Sequence, residues 1–386
     1  MRRTVITLGL VWLTAFNLRV ILFAIPPTLP AIRAELGLSF SATGTLASVS
    51  ILVLGVASIP GAWLATRYGA RRLVAVCCVG LAVFTFSLTL PPALFWIFFG
   101  SGMLTLSIAL AQPPLAVLIR RWFPTAITRA GNLYANGILM GNVVGAASAP
   151  FMSRALGWRG MFLVWAAVAG VSVLLWVRFT PGDQAEAPRF NLGVVLRDPR
   201  AWQIAALFTF QNLVFYTVIS WVPFVVNSRG PEYVTTTLLF LIFFPLVPLF
   251  ALAFVRWPYA LSTTFYVIAG GLAVAGSLGL LLGLDDLVRP LVFMVGLGTG
   301  AAFVAALTLP PLVAGNESEA STYAAVMYTA GYLLTFVGPI TSGMLVDATG
   351  RVNTAFWPAV VGAILMTVVG VFAPRLLTRS QTAAAR

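Results

Sequence analysis

Apolar residues fall in long runs, broken by short clusters of turn formers and charges. The runs cover residues 5–32, 40–65, 73–90, 94–119, 130–152, 160–179, 201–226, 233–255, 260–283, 288–313, 320–346 and 353–373. Most match the ~20 residues that an α-helix needs to cross the hydrocarbon core of a bilayer. Runs of this length, apolar on all sides, predict membrane-spanning helices rather than strands or surface helices. Twelve of them bring both chain ends to the same side. The longest polar connection, about Thr180 to Arg200, follows the sixth run and carries Pro181-Gly182-Asp183 and Arg197-Asp198-Pro199. It reads as a linker, 181–200, between a six-helix bundle at 1–180 and a second at 201–386 with a short cytoplasmic tail.

Composition sharpens the class. The 386 residues are 60% hydrophobic and 9% charged, with a mean hydropathy of +0.98. A soluble chain would carry about 25% charged residues. This reads as an all-α integral membrane protein, and a dozen spans leave no room for a separate catalytic or nucleic-acid-binding domain. The pI near 11.0 is therefore not read as DNA or RNA binding. Met1-Arg2-Arg3 before an apolar run has the look of a signal peptide, but the run continues through Pro26 with no small-x-small cleavage site. An uncleaved first helix is expected.

The chain has no histidine, which removes the commonest general base and metal ligand near neutrality. Cys77 and Cys78 are adjacent within an apolar run, with neither disulfide nor metal spacing. No catalytic group, metal or cofactor is expected. Lysine is also absent, so all 23 basic residues are arginine, against 10 acids.

Arginine placement gives the orientation. With a cytoplasmic N-terminus, 16 arginines are inside (Arg2, Arg3, Arg67, Arg71, Arg72, Arg120, Arg121, Arg129, Arg178, Arg189, Arg197, Arg200, Arg256, Arg375, Arg379 and Arg386). Six are outside (Arg33, Arg154, Arg159, Arg229, Arg289 and Arg351), and the acids divide five to a side. Both termini are thus expected in the cytoplasm, with the chain in the plasma (inner) membrane.

The two halves also resemble each other. Ala109-Leu110-Ala111-Gln112-Pro113-Pro114-Leu115 recurs as Ala306-Leu307-Thr308-Leu309-Pro310-Pro311-Leu312, displaced by 197. Tyr134-Ala135-Asn136-Gly137 recurs as Tyr328-Thr329-Ala330-Gly331, displaced by 194, and Asn17-Leu18 matches Asn212-Leu213, displaced by 195. Two parallel six-helix repeats suit a transporter whose substrate site lies near the midplane, between the repeats. On these features the chain resembles the major facilitator superfamily over essentially its full length. The turn Arg67-Tyr68-Gly69-Ala70-Arg71-Arg72 is similar to that superfamily's basic turn. Thr66 stands where many members carry an aspartate, so the charge latch ascribed to that loop is not carried over.

One arginine belongs to neither face. Arg19 lies 14 residues beyond Val5, or ~21 Å along a helix at 1.5 Å per residue. A central arginine costs at least ~2.5 kcal/mol on insertion scales and normally faces the bundle interior with a partner. No acid occurs within any of the twelve runs. Arg19 either snorkels or bonds backbone carbonyls, or its counterion is the substrate, which is then an anion. The corresponding residue of the second half is Val214, so the site has a single fixed charge. One guanidinium suits a small monoanion or a planar pair of acceptors.

Trp12, Phe16, Phe23 and Pro26 share the Arg19 stripe by helical spacing, whereas Asn17 lies ~200° around and serves packing. Phe16 and Phe23 join Arg19 as candidate lining residues. Gln112, Asn136, Asn212, Tyr216, Tyr328 and Tyr332 are the further polar candidates, although amides in membrane helices commonly tie helices together. Gly137, Gly141 and Gly145 form a small-xxx-small ladder that reads as a close-packing surface.

Asn17-Leu18-Arg19, followed by Pro26-Pro27-Thr28-Leu29-Pro30-Ala31-Ile32-Arg33, resembles the first helix of the cyanate/2-nitroimidazole transporter family. The Leu156-Gly157-Trp158-Arg159 exit is similar too, while Val20 stands where a proline is common. The resemblance implies a secondary transporter, not an enzyme, working as a monomer by alternating access. Its cargo would be a small anion, cyanate- or nitrate-like, or a compact nitro-heterocycle; its surroundings are lipid, with no nucleic-acid partner. A nitrate/nitrite porter is the nearest alternative and would carry an arginine in each half. A proton-driven drug exporter needs an embedded acid or histidine. A nontransporting sensor or membrane enzyme is more remote still.

Overall fold

The computed structural model describes residues 2–182, 195–247, 262–314 and 317–374. Most of the expected linker (183–194), the end of the eighth run (248–255) with the start of the ninth, and the tail from 375 lie outside the described residues. The described helices are α1 (Arg2–Leu36), α2 (Phe40–Tyr68), α3 (Ala70–Ser87), α4 (Ala93–Trp122), α5 (Ile127–Phe179) and α6 (Pro199–Val226). They continue as α7 (Pro231–Ile242), α8 (Thr263–Leu281), α9 (Val288–Val313), α10 (Glu317–Thr335), α11 (Val337–Thr349) and α12 (Trp357–Phe372).

Among the described residues, 10 stretches are long and apolar enough to cross a membrane. The chain is an all-helical, multi-pass membrane protein. Large apolar side chains such as Val76, Leu174, Leu334 and Val361 remain exposed, as a lipid-facing surface requires. The α5 stretch is two helices joined at one residue: Gly157 has φ 71° and ψ 162°. Side-chain-bearing residues rarely adopt that backbone, and glycine does so cheaply. The fifth and sixth runs therefore meet at a hinge-like joint rather than a loop. α10 and α11 together form the eleventh run, and the eighth is described through the 12-residue α7 and on to residue 247.

The chain forms two compact units, one of Met1–Leu38 with Val56–Pro188, the other of Ser39–Gly55 with Arg189–Arg386. In the first unit α1 lies against α5, and the glycine ladder makes the contact possible. A Cβ on Gly137 would lie 2.6 Å from the Trp12 carbonyl oxygen; on Gly145, 2.2 Å from that of Val20. Backbones approach this closely only where small residues line the interface. Val11, Ile119, Phe123 and Ala130 form a buried cluster near one end, with Leu8, Trp122, Ala126 and Tyr134 packed on it. At the other end of α1, the Glu35 carboxylate accepts from the Trp158 indole N–H at 2.6 Å and pairs with Arg159. The Arg159 guanidinium also covers the Trp158 ring at 4.1 Å. The Leu156-Gly157-Trp158-Arg159 sequence thus turns the chain and fastens the turn to α1.

In the second unit the start of α2 docks on α11. The Phe40 and Ser41 N–H groups donate to the Asp347 carboxylate at 3.0 and 2.8 Å. Two of the orphan donors at that helix start are satisfied by a charge, which also complements the helix dipole. Glycines again allow the approach: a Cβ on Gly44 would lie 2.2 Å from the Pro339 oxygen, and one on Gly343 2.3 Å from that of Phe40.

Candidate substrate-binding site

Arg19 sits mid-α1 on the side held against α5. A Cβ at Gly141 would come within 2.8 Å of the Arg19 Cβ, so the glycine is what lets the α1 backbone lie there. The Arg19 Nη2 donates to the Gln112 Oε1 of α4 at 3.3 Å. That is long beside the 2.7–2.9 Å typical of charged pairs. The Nε is buried without a partner, and no carboxylate pairs with Arg19 among the described residues. A guanidinium offers five N–H donors. Here one neutral amide, loosely placed, is the only hydrogen-bond partner found for it among the described residues. A membrane-embedded cation carries a desolvation cost that one neutral amide offsets only in part.

The surroundings are aromatic. Trp12 and Phe16 stack, with centroids 5.4 Å apart and planes at 14°, and Phe16 tilts against Trp165 of α5 at 6.2 Å. The Trp12 indole N–H donates to Asn136 Oδ1 at 2.9 Å. Asn136 therefore fixes Trp12 on the Arg19 stripe. Tyr134 of α5 packs on the buried cluster of Val11, Ile119, Phe123 and Ala130. In the sequence Tyr134 stands out only through its repeat match with Tyr328. Phe23 is buried in the core of the unit. Asn17 donates to Ser172 Oγ at 2.7 Å and to the Leu13 carbonyl, tying α1 to the second arm of α5 as its spacing predicted.

The second-half candidates gather around a residue that sequence reasoning missed. Phe208 of α6 makes edge contacts with Tyr328 at 5.2 Å and Tyr332 at 5.3 Å. Tyr328 and Tyr332 stack at 6.2 Å, and Tyr216 lies 6.4 Å from Tyr332. Asn212 is buried and donates to the Phe208 carbonyl of its own helix. The repeat correspondence shows an exchange of character: Arg19 and Gln112 of the first half match Val214 and Leu309, both buried. The charge and its amide partner are replaced together. The tyrosine of the third match is kept.

Comparison with known proteins agrees with this architecture. The family model described as Major Facilitator Superfamily matches residues 11–339. The chain is 28% identical over 351 residues to the uncharacterized transporter YycB of Bacillus subtilis, covering 87% of this chain and 85% of that protein. It is 26% identical to the 2-nitroimidazole transporter of Escherichia coli, over 97% of this chain and 96% of the relative. With the cyanate transport protein CynX of Escherichia coli it shares 24% identity, over 92% and 94%. In fold it is similar to an inward-facing, unoccupied bacterial homolog of the human lysosomal transporter Spinster, with a TM-score of 0.74 at 16% identity over 98% of each chain.

Proposed function

The chain belongs to the Major Facilitator Superfamily and is a membrane transporter rather than an enzyme; from that premise we propose that it carries a small monoanion, cyanate- or nitrate-like, or a compact nitro-heterocycle, bound by Arg19. The observation that carries this reading is the guanidinium itself, with a buried Nε lacking an acceptor and only Gln112 on its Nη2. A planar pair of acceptors meets a guanidinium edge in two parallel hydrogen bonds. Phe16 and the Asn136-held Trp12 add flat, weakly hydrated walls beside it. The cargoes named for the two Escherichia coli relatives, 2-nitroimidazole and cyanate, support a compact solute of this kind. A nitrate/nitrite porter with an arginine in each half fits less well, because Val214 occupies the matching position.

In this proposal the six-helix halves, 1–180 and 201–386, expose Arg19 alternately to either side of the inner membrane, with both termini cytoplasmic and the monomer as the working unit. The tyrosines 216, 328 and 332 line the substrate route. Bound anion neutralises Arg19 and so makes the occluded state less costly. An inside-negative potential opposes entry of one negative charge by ~2.3 kcal/mol per 100 mV, so uptake draws on a gradient, exchange or a co-ion.

The test is uptake and counterflow in proteoliposomes with cyanate, nitrate and 2-nitroimidazole. Arg19→Ala is expected to abolish transport, and Arg19→Lys to retain a small fraction because it keeps charge without the fork geometry. Normal transport by Arg19→Ala would overturn the proposal.

A further inference from the structure

Two indoles touch Phe16, and they differ in one respect. The Trp12 N–H is satisfied by Asn136 at 2.9 Å. The Trp165 N–H is buried with no acceptor among the described residues, and the residue is 7% exposed. An indole nitrogen can only donate. A buried donor without an acceptor carries its full desolvation penalty, and such a group in a native protein calls for an explanation. Phe16 is the common neighbour: its ring is 6.2 Å from that of Trp165, and it precedes Arg19 by one turn on the same stripe of α1. Arg19 Nε, one turn further along α1, is likewise buried with no partner found among the described residues.

We propose that Trp165 is a substrate-binding residue, its indole N–H completing the donor set for the same anion that Arg19 binds. This rests on the anion-site reading above and deepens it. The cargo then needs at least two acceptor positions, one for the guanidinium and one for the indole. Trp165 also acts as a specificity filter: a solute that presents only an N–H donor at that point leaves the indole unpaired and places two donors face to face. Asn136 explains why Trp12 does not share this role, since its donor is already used to hold the ring as a wall.

The test compares Trp165→Phe, which keeps an aromatic ring and deletes the donor, with Trp122→Phe. Trp122 carries another buried indole N–H with no partner among the described residues, but its ring contact is with Trp176 at 5.7 Å. Transport of cyanate, nitrate and 2-nitroimidazole is measured in proteoliposomes, with thermal unfolding of each purified variant as the folding control. Trp165→Phe is expected to raise KM about tenfold for the transported solute, the effect of one lost hydrogen bond to a charged group, with the maximal rate and unfolding temperature nearly unchanged. Trp122→Phe is expected to leave KM at the wild-type value.

An unchanged KM in Trp165→Phe alongside a dead Arg19→Ala overturns this inference and leaves the anion site standing. Normal transport by both variants overturns both. If Trp165→Phe unfolds, Trp165→Tyr serves instead: a KM restored to the wild-type value by a solute with a shorter acceptor reach supports the donor role, and equal loss for every solute with a lowered rate overturns it.

Discussion

Gly141 and Arg19 meet across α5 and α1 so closely that a single Cβ on the glycine would lie 2.8 Å from the Arg19 Cβ and 2.5 Å from the Phe16 carbonyl oxygen. The position of the charged residue is thus set by what α5 lacks. Gly141→Ala must push the helices apart at the level of the guanidinium, against backbone atoms that cannot rotate away. Overpacking of this kind costs ~1–3 kcal/mol. The expected outcome is a lowered unfolding temperature together with a raised KM, because Arg19 and Gln112 no longer keep their spacing. Gly131, in the same helix, has nothing within 4 Å of an added Cβ. Gly131→Ala should unfold at or slightly above the wild-type temperature and transport normally. Equal behaviour of the two variants would show that the ladder does not position Arg19.

The Arg19–Gln112 contact makes a second expectation. At 3.3 Å the amide occupies one donor of the guanidinium without neutralising it. Gln112→Glu is nearly isosteric and places a carboxylate there, converting a cation held by a neutral amide into an internal ion pair. Anion transport should fall by at least tenfold, while the unfolding temperature rises or holds, since an embedded charge gains a partner. Gln112→Leu, as in the matching Leu309, should retain transport with a raised KM. If Gln112→Glu carries anions as well as wild type, Arg19 is not where they bind.

The sequence made the helices legible because lipid demands long apolar runs and leaves charge only at their ends; α1, α4 and α6 fall close to where the runs place them. It could not show the joint at Gly157, since a change of direction at one glycine leaves no polar loop to read. Arg19 was legible as the one arginine away from both faces, and Asn17 as a packing residue through its angle around the helix. Tyr134, Trp165 and Phe208 were not. In a chain this apolar an aromatic residue looks the same whether it packs or binds, and an unpaired indole N–H exists only in three dimensions. The carboxylate of Asp347 at the start of α2 was hidden for a related reason: its partners are backbone N–H groups 306 and 307 residues away.

Asp198 carries the pH dependence that can be worked out with its sign. It precedes the α6 span and caps it, accepting from the Arg200 backbone N–H at 2.9 Å, pairing with the Arg200 guanidinium at 2.7 Å and accepting from the Tyr323 hydroxyl. Burial alone pushes its carboxyl up, but the hydrogen bonds from Arg200 and Tyr323, with the Arg200 charge, together outweigh it and hold the group below the usual carboxylate range. The unfolded chain, with an Asp near 3.9, therefore binds the proton more readily than the native one. Stability from this group is complete above about pH 4 and is lost as pH falls through the lowered native value. Asp198→Asn keeps an oxygen for the helix cap but neither the ion pair nor the titration. In purified protein, its unfolding temperature should lie below wild type by a constant gap from about pH 6 to 8, and the gap should begin to narrow near pH 4 and close as pH falls through the lowered native value. Glu319 also acts on Arg200 and Tyr323, so the comparison is made in a Glu319→Gln background, where the difference isolates Asp198. A gap that persists or widens in acid would mean that the carboxylate is not stabilised by these contacts.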